Sequence, residues 1–493
     1  MIKTLLIAPP WLDIYGDFKA AAKLGCASPP LGLMYLASSI QEAGGECRII
    51  DMEAQQVGSD RLIELIGEYK PDLVGLTATT PVFKNTCSLA GLIKRHYPDI
   101  VLGVGGVHST IVGREVLQEC GDFDFQVVGE GELTIIDIVT ARKTGLSFEG
   151  IPGVIYRDGE RIVENPRRPL IEDLDNIPMP DRSLVPSRLY LHSVPGKGFV
   201  RYATVFTSRG CPFQCIFCSQ HTMYGRTMRW HSLERVMEEL RYITRDLNIH
   251  HVIIMDETMT LDKKRTLAFC EAVRDEGLNF TWEGWTHAGT IDEEIMMAMK
   301  SAGLVRLSFG IESGDPEILK VIKKNVTLEQ IRNAYKIAAK VGIETRGSAM
   351  LGHPFETKAS AWRTIKFIRS VREMKQVFLN IACPYPGTEL YEYAVNGRGG
   401  MHLLTTDYSQ YKRYGAPVIE VGDMKAKDLK RMQTLGLLYF YLTPSRIWYN
   451  VFKRAGIGAG LKNVAAFSLG IIKSALGGGV CPQDKRKGES TRI

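Results

Sequence analysis

Along the first 145 positions, apolar residues fall into short, nearly unbroken runs separated by stretches of helical spacing. The runs are TLLIAPP (4–10), CRIIDME (47–53), DLVGLTATT (72–80), IVLGVGG (100–106) and FDFQVVGEGE (123–132). Between them, GLMYLASSIQEAG (32–44) and SLAGLIKRHYP (88–98) place apolar residues three and four apart. Strands that are apolar throughout, alternating with helices, predict a parallel α/β sheet covered on both faces. Such sheets bind ligands at the carboxyl ends of their strands.

The pattern changes over 146–200. Seven of the 22 prolines lie in 151–200, GVIYRDGERIV (153–163) reads as a hairpin turning at Asp158-Gly159, and NIPMPDRSLVP (176–186) reads as extended linker. A second alternating series occupies 201–395. Its strands are YATVFTS (202–208), HVIIMDE (251–257), FTWEGWTH (280–287), VRLSFGIES (305–313), ETRGSAMLG (344–352) and VFLNIACPYP (377–386), with helical stretches between them. Six βα units predict an open, partial (β/α)6 barrel with its site at the C-terminal strand ends. Residues 396–493 lose this rhythm and predict a mainly helical C-terminal region with a basic tail.

Charge sharpens the picture of that tail. The chain carries 61 Lys+Arg and 55 Asp+Glu, a net +6. Residues 421–493 hold 13 and 4 of these, a net +9, so residues 1–420 carry 6 − 9 = −3. Nucleic-acid binding is disfavoured, because the basic excess has no recognisable fold around it. The apolar, basic segment from residue 445 onward fits either a membrane-surface contact or a helical cap with a solvated tail. Lys473 interrupts its last apolar run, which is too short to span a bilayer. The N-terminus, MIKTLLIAPP, lacks a small-residue cleavage site and reads as a strand, which predicts a cytoplasmic protein.

Ten cysteines are scattered along the chain, but Cys211, Cys215 and Cys218 cluster in TSRGCPFQCIFCSQH (207–221), directly after the first barrel strand. Thiolates suit iron–sulfur clusters or zinc. A Cys3His zinc site using His221, in a zinc-stabilised nucleotide-binding module, is one reading. A four-iron cluster held by three cysteines, with one iron open to an exogenous ligand, is the other. Cys383, Trp282, Trp285 and His287 could face the barrel cavity, although such residues more often serve as packing.

The Cys-x3-Cys-x2-Cys spacing, with Phe217 before the third cysteine and six βα units, resembles the radical S-adenosylmethionine (SAM) enzymes. That resemblance implies a [4Fe-4S] cluster on the three cysteines, SAM chelating the open iron, and a 5′-deoxyadenosyl radical formed by reductive cleavage. It implies a low-potential electron donor such as flavodoxin or ferredoxin. It places Phe217, Asp256, Glu257, Glu312 and Gly352 around SAM. The family often carries Gly-Gly-Glu where this chain has Asp256-Glu257.

With the preceding α/β domain, residues 1–400 resemble the cobalamin-binding class, which includes the anaerobic magnesium-protoporphyrin monomethyl ester cyclase and many radical methyltransferases. The resemblance implies a Rossmann-like cobalamin-binding domain over 1–145. Thr77, Thr79 and Thr80 (TATTP), Gly105, Gly106 and His108 (GVGGVHS), and Gly129 and Glu130 (VVGEGE) are its expected cobalamin contacts. Many cobalamin domains carry Asp-x-His-x-x-Gly after the first strand. The loop here, PPWLDIYGDF (9–18), has no histidine, so no histidine ligand to cobalt is implied. The class implies methyl transfer to an unactivated carbon of a small or lipid-like metabolite, or alternatively cyclisation, oxidation or rearrangement. A flavodoxin-like domain for another nucleotide stays open as the reading of residues 1–145.

Overall fold

A computed structural model describes residues 1–19 and 27–450 of the chain. Five parallel strands open the fold: β1 (Lys3–Ala8), β2 (Glu46–Asp51), β3 (Leu73–Thr77), β4 (Val101–Gly105) and β5 (Phe125–Val127). They assemble in the order β2-β1-β3-β4-β5. Their apolar runs are needed on both faces. Helices Leu31–Glu42 and Glu132–Thr144 cover one side, packing Met34, Tyr35 and Ile138. Helices Ser59–Tyr69 and Phe83–His96 cover the other with Leu62, Ile66, Phe83 and Ile93. The connections reverse direction between β1 and β3, which opens a crevice at the strand ends. The hairpin β6 (Val154–Asp158) and β7 (Arg161–Glu164), expected within the linker, extends this sheet antiparallel to β5.

A second hairpin, β8 (Leu191–Val194) and β9 (Gly198–Arg201), closes the floor of the barrel, where Arg306 Nη1 donates to the carbonyl of Ser193 at 3.0 Å. The barrel starts with β10 (Ala203–Val205). A two-residue ribbon, β11 (Ser208–Arg209) against β12 (Arg229–Trp230), then frames the cysteine loop. The remaining strands are β13 (His251–Ile254), β14 (Thr281–Thr286), β15 (Leu304–Glu312), β16 (Glu344–Leu351) and β17 (Gln376–Ile381). All six pair in parallel in chain order, with β10 and β17 at the edges, so the barrel is open.

Strand alternation separates lumen from helix-facing residues. On β16, Thr345, Ala349 and Leu351 are buried towards the helices, while Arg346, Ser348 and Met350 are half-buried on the lumen side. Barrel helices begin on capping side chains. Asp262, Asp292, Asp315, Thr327, Thr357 and Thr388 each accept a backbone N–H in the first turn.

The C-terminal region adds a small hairpin, β18 (Met401–Leu403) and β19 (Ile419–Val421), and helices Ala426–Tyr441 and Pro444–Trp448. The longer helix packs on β17, where Gln433 Nε2 donates to the carbonyl of Leu379 at 3.0 Å. The basic tail with Lys473 lies outside the described residues. No described helix is long and apolar enough to cross a membrane.

Candidate active site: a three-cysteine loop facing a glycine-floored crevice

The cysteine loop is held by backbone contacts at several points. Gly210 adopts φ +96°, and a Cβ there would lie 2.2 Å from the carbonyl oxygen of Thr227, so only glycine fits between Arg209 and Cys211. Cys211 N–H donates to the carbonyl of Gly225, and that of Cys218 to the carbonyl of Cys215. Buried Ile216 anchors the middle: its N–H donates to Ile322 and its carbonyl accepts from Leu390. The three thiols are half-buried and free of disulfides.

A single zinc ion requires thiolates roughly 3.8 Å apart, from Zn–S bonds of about 2.3 Å. The three thiols do not meet that spacing. Among the described residues, the metal-sized group whose ligand atoms lie within 4.8 Å of one another is His192, His251 and Glu283 on the barrel floor. His221 instead turns its Nδ1 to the Cys218 carbonyl at 3.0 Å. Among the described residues the three thiols and His221 therefore do not form a closed Cys3His site. Burial raises all three thiol pKa values, that of Cys218 to about 11, and Lys324 lowers those of Cys211 and Cys215. Thiolates here need cationic partners, which iron supplies.

Around the loop, the barrel presents two carboxylates with different employment. Asp256 is fully buried and accepts the N–H groups of Thr207 (2.7 Å) and Ser208 (3.2 Å) and the Ser208 hydroxyl (2.7 Å). Its oxygens brace the strand end that delivers the cysteine loop, so Asp256 is a positioning group and not a free cofactor contact. Glu257, one position on, makes no such bonds with its side chain among the described residues. Burial and the neighbouring Asp256 raise its pKa to about 7, and its charge acts on Cys211 and Cys218. Glu312 ends β15 with φ +64°, a sparsely populated conformation for a residue with a side chain. Its Oε1 lies 3.7 Å from Lys324 Nζ. Phe217 packs near His353, with ring centroids 6.4 Å apart. Gly352 takes φ +92°, and a Cβ there would meet Ile419, Leu429 and Ile381. The Cβ position of Gly352 therefore faces apolar packing that includes Ile419 and Leu429 of the C-terminal region.

A cavity of about 250 Å³ opens at the carboxyl ends of the N-terminal sheet. Gly75 and Gly103 hollow its floor beside Leu6 and Phe125. Thr77, Gly105, Gly106 and Gly129 line its mouth, and nothing lies within 4 Å of the Cβ position of Gly129. A narrow, largely apolar slot with a backbone rim suits the planar base and nucleotide tail of cobalamin.

Several expected contacts fall elsewhere. Thr79 is exposed. Thr80 is buried, with its hydroxyl 3.2 Å from Nδ1 of His108. His108 is wholly buried between Phe83 and Tyr408, and burial lowers its pKa to about 4. Glu130 lines the slot but spends both carboxylate oxygens on Arg209 (2.8 Å) and Arg229 (2.8 Å), and also accepts Ile171 N–H (2.9 Å). Glu132 takes the other arm of Arg209 at 2.5 Å. Sequence reasoning missed Arg209. The signal was an arginine two residues before the first clustered cysteine, with paired acidic residues (EGE) on another domain.

In the barrel lumen, Trp285 is 42% exposed, whereas Trp282 is buried with its indole N–H on the Ala302 carbonyl at 2.8 Å. His287 is buried against the loop, its Nε2 2.9 Å from the Lys324 carbonyl and its ring stacked on Phe213. Burial raises the Cys383 thiol to about 12.

A three-thiol loop on the first strand of an open βα barrel, beside a cofactor crevice in a parallel α/β domain, defines an enzyme of redox-cluster chemistry with a second, nucleotide-tailed cofactor. Comparisons with known proteins agree. The radical SAM superfamily model matches residues 205–368 and the B12 binding domain model matches residues 19–139. An uncharacterized methyltransferase of Pyrococcus horikoshii is 34% identical over 459 residues, covering 92% of this chain and 96% of that one. The anaerobic magnesium-protoporphyrin IX monomethyl ester cyclase of Rubrivivax gelatinosus is 31% identical, covering 81% and 71%. The solved structure of the radical SAM methyltransferase TsrM from Kitasatospora setae, with cobalamin and a [4Fe-4S] cluster bound, superposes with a TM-score of 0.72 at 16% identity, covering 97% of this chain and 100% of that one. The chain belongs to the radical SAM superfamily, among its members that carry a B12-binding domain. Its cofactors are accordingly a [4Fe-4S] cluster, SAM and cobalamin.

Proposed function

We propose that this enzyme methylates an unactivated carbon of a small molecule, using SAM and cobalamin. One observation carries the reading: Arg209, Met223 and Tyr224, which flank the three cysteines, also form a wall of the cobalamin slot. The two cofactors thereby face one space, which direct transfer between them through a substrate requires. The names of relatives support it as well: an uncharacterized methyltransferase, and the hopanoid C-3 methylase of Methylococcus capsulatus at 27% identity. The cyclase relative favours the second reading, ring closure without methyl transfer.

Cys211, Cys215 and Cys218 hold the cluster. Glu257 and Glu312 face the amino and ribose portions of SAM, where carboxylates make charge-assisted hydrogen bonds. Phe217 shields the cofactor from water. Thr77, Gly105, Gly106 and Gly129 hold the cobalamin tail, and no histidine reaches the cobalt. When bound, the cluster supplies an electron for SAM cleavage and cobalamin supplies the transferable methyl group. The protein's share is to hold both cofactors in register and to exclude solvent. A flavodoxin- or ferredoxin-type reductant delivers the electron. Contact of the C-terminal tail with a membrane, and cytoplasmic residence, belong to this proposal too.

Turnover with SAM labelled as CD3 on its methyl group tests it. Methyl transfer gives a product heavier by 17 mass units than its substrate, with 5′-deoxyadenosine and S-adenosylhomocysteine both released. Deoxyadenosine with no label in any product selects the cyclase-type reading.

A further inference from the structure

The strap 404–418, which joins β18 to β19, packs beside the end of the barrel's edge strand β17. The strap interlocks with the N-terminal loop. Arg413 N–H donates to the Ile14 carbonyl at 2.7 Å, and a Cβ on Gly16 would lie 2.9 Å from the backbone nitrogen of Gly415. The loop that carries a cobalt-binding histidine in many cobalamin domains here pins the strap. The Lys430 ammonium adds bonds to the carbonyls of Tyr414 (2.8 Å) and Gly415 (3.1 Å).

This framework holds the Arg413 side chain over the lumen. Its Nε donates to Asn380 Oδ1 at 3.1 Å, and its guanidinium carbon lies 4.7 Å from the ring centre of Phe378 and 5.9 Å from that of Tyr15. Phe378 and Asn380 sit two apart on β17, on the face opposite the buried Val377 and Leu379, and so point into the barrel. Phe378 is 37% exposed there, and Trp285 on β14 is likewise open. Arg413 forms no ion pair with any carboxylate among the described residues. Its charge nevertheless acts on Glu312 and Tyr385, placing it beside the SAM-facing strand ends.

An arginine whose outer guanidinium nitrogens are not engaged by any of the described residues, fixed by a short polar contact and aromatic neighbours, is the fork that recognises planar or tetrahedral oxyanions. We infer that Arg413, with Asn380, binds an anionic oxyacid group of the substrate, carboxylate or phosphate, while Trp285 and Phe378 take its flat apolar body. This rests on the barrel lumen being the substrate site of the proposed methylation.

Equilibrium dialysis of the cofactor-loaded enzyme against phenyl phosphate, benzoate and neutral benzyl alcohol tests it directly. At least one anion binds tenfold or more tightly than the alcohol, and which one distinguishes phosphate from carboxylate. Arg413→Gln abolishes the preference and Arg413→Lys keeps part of it, whereas Lys412→Gln, at an exposed neighbour, leaves it intact. Equal binding of anions and alcohol, or an unchanged preference in Arg413→Gln, overturns the inference. Methyl labelling is read separately. An intact Arg413-dependent preference without label counts against methylation and leaves the anion site standing. Label without the preference does the reverse.

Discussion

Removing Arg209 should loosen the joint between the two cofactor domains, and the structure sets the scale. Its guanidinium, 3% exposed, bridges Glu130 and Glu132 from the N-terminal domain and lies between the rings of Tyr35 and Tyr224, at 5.6 and 5.5 Å. In Arg209→Met, Glu130 keeps Arg229, but Glu132 is left buried without its partner. Breaking a buried pair in this way costs about 3–5 kcal/mol. Unfolding entropy is about 2.1 cal/mol/K per residue, so cooperative unfolding of all 493 residues gives roughly 1 kcal/mol/K and a Tm lowered by about 3–5 °C. The orphaned Glu132 escapes part of the penalty by taking a proton, so the loss is larger at pH 8 than at pH 6. Replacing both partners, Arg209→Met with Glu132→Leu, removes the uncompensated charge and recovers most of the stability. Differential scanning calorimetry on the cobalamin-loaded protein, with iron content measured in parallel, is the assay. A single mutant within 1 °C of the parent at both pH values, or a double mutant no better than the single, refutes the reasoning.

Other consequences follow from the same geometry. Gly75→Val fills the floor of the 250 Å³ slot, since its Cβ alone would sit 2.9 Å from Leu6 Cδ2. Cobalamin retention, read by absorbance after desalting, is lost while SAM binding persists. Glu257→Gln weakens SAM binding at least tenfold by calorimetric titration. Because the Glu257 carboxyl titrates near pH 7, affinity of the parent enzyme rises from pH 6 to 8, and that slope disappears in the variant. Glu356, buried and bonded to the Gly352 and His353 N–H groups, has its pKa raised to about 7. A carboxyl raised above its unfolded value binds protons better when folded, so stability falls as pH climbs from 4.5 towards 7, by at most roughly 1.4 kcal/mol per pH unit. Glu356→Gln flattens that slope in chemical denaturation.

The strands were legible because their signal is local. Six apolar runs after residue 201 became six parallel strands in chain order, and the cysteine loop followed the first of them as its spacing required. The roles of acidic residues were not legible. Asp256 and Glu257 are adjacent and chemically alike, yet one braces Thr207 and Ser208 while the other faces the loop. Which oxygen finds a partner depends on residues some fifty positions away. Glu130 reads as a rim residue after a strand, but its partners, Arg209 and Arg229, sit on the other domain. His108, expected as a cobalamin contact, is buried against Phe83 and against Tyr408, 300 positions on. Arg413 lies in a segment with no periodicity, so only tertiary placement brings it beside Phe378 and Asn380.

The most direct test of the account is low-temperature EPR of the anaerobically reconstituted, reduced enzyme with and without SAM. A cluster signal near g ≈ 2 that shifts when SAM is added, and that Cys211→Ala, Cys215→Ala or Cys218→Ala each abolish, is the result the three-thiol loop predicts. A signal indifferent to SAM, or one that survives loss of any of the three cysteines, contradicts it.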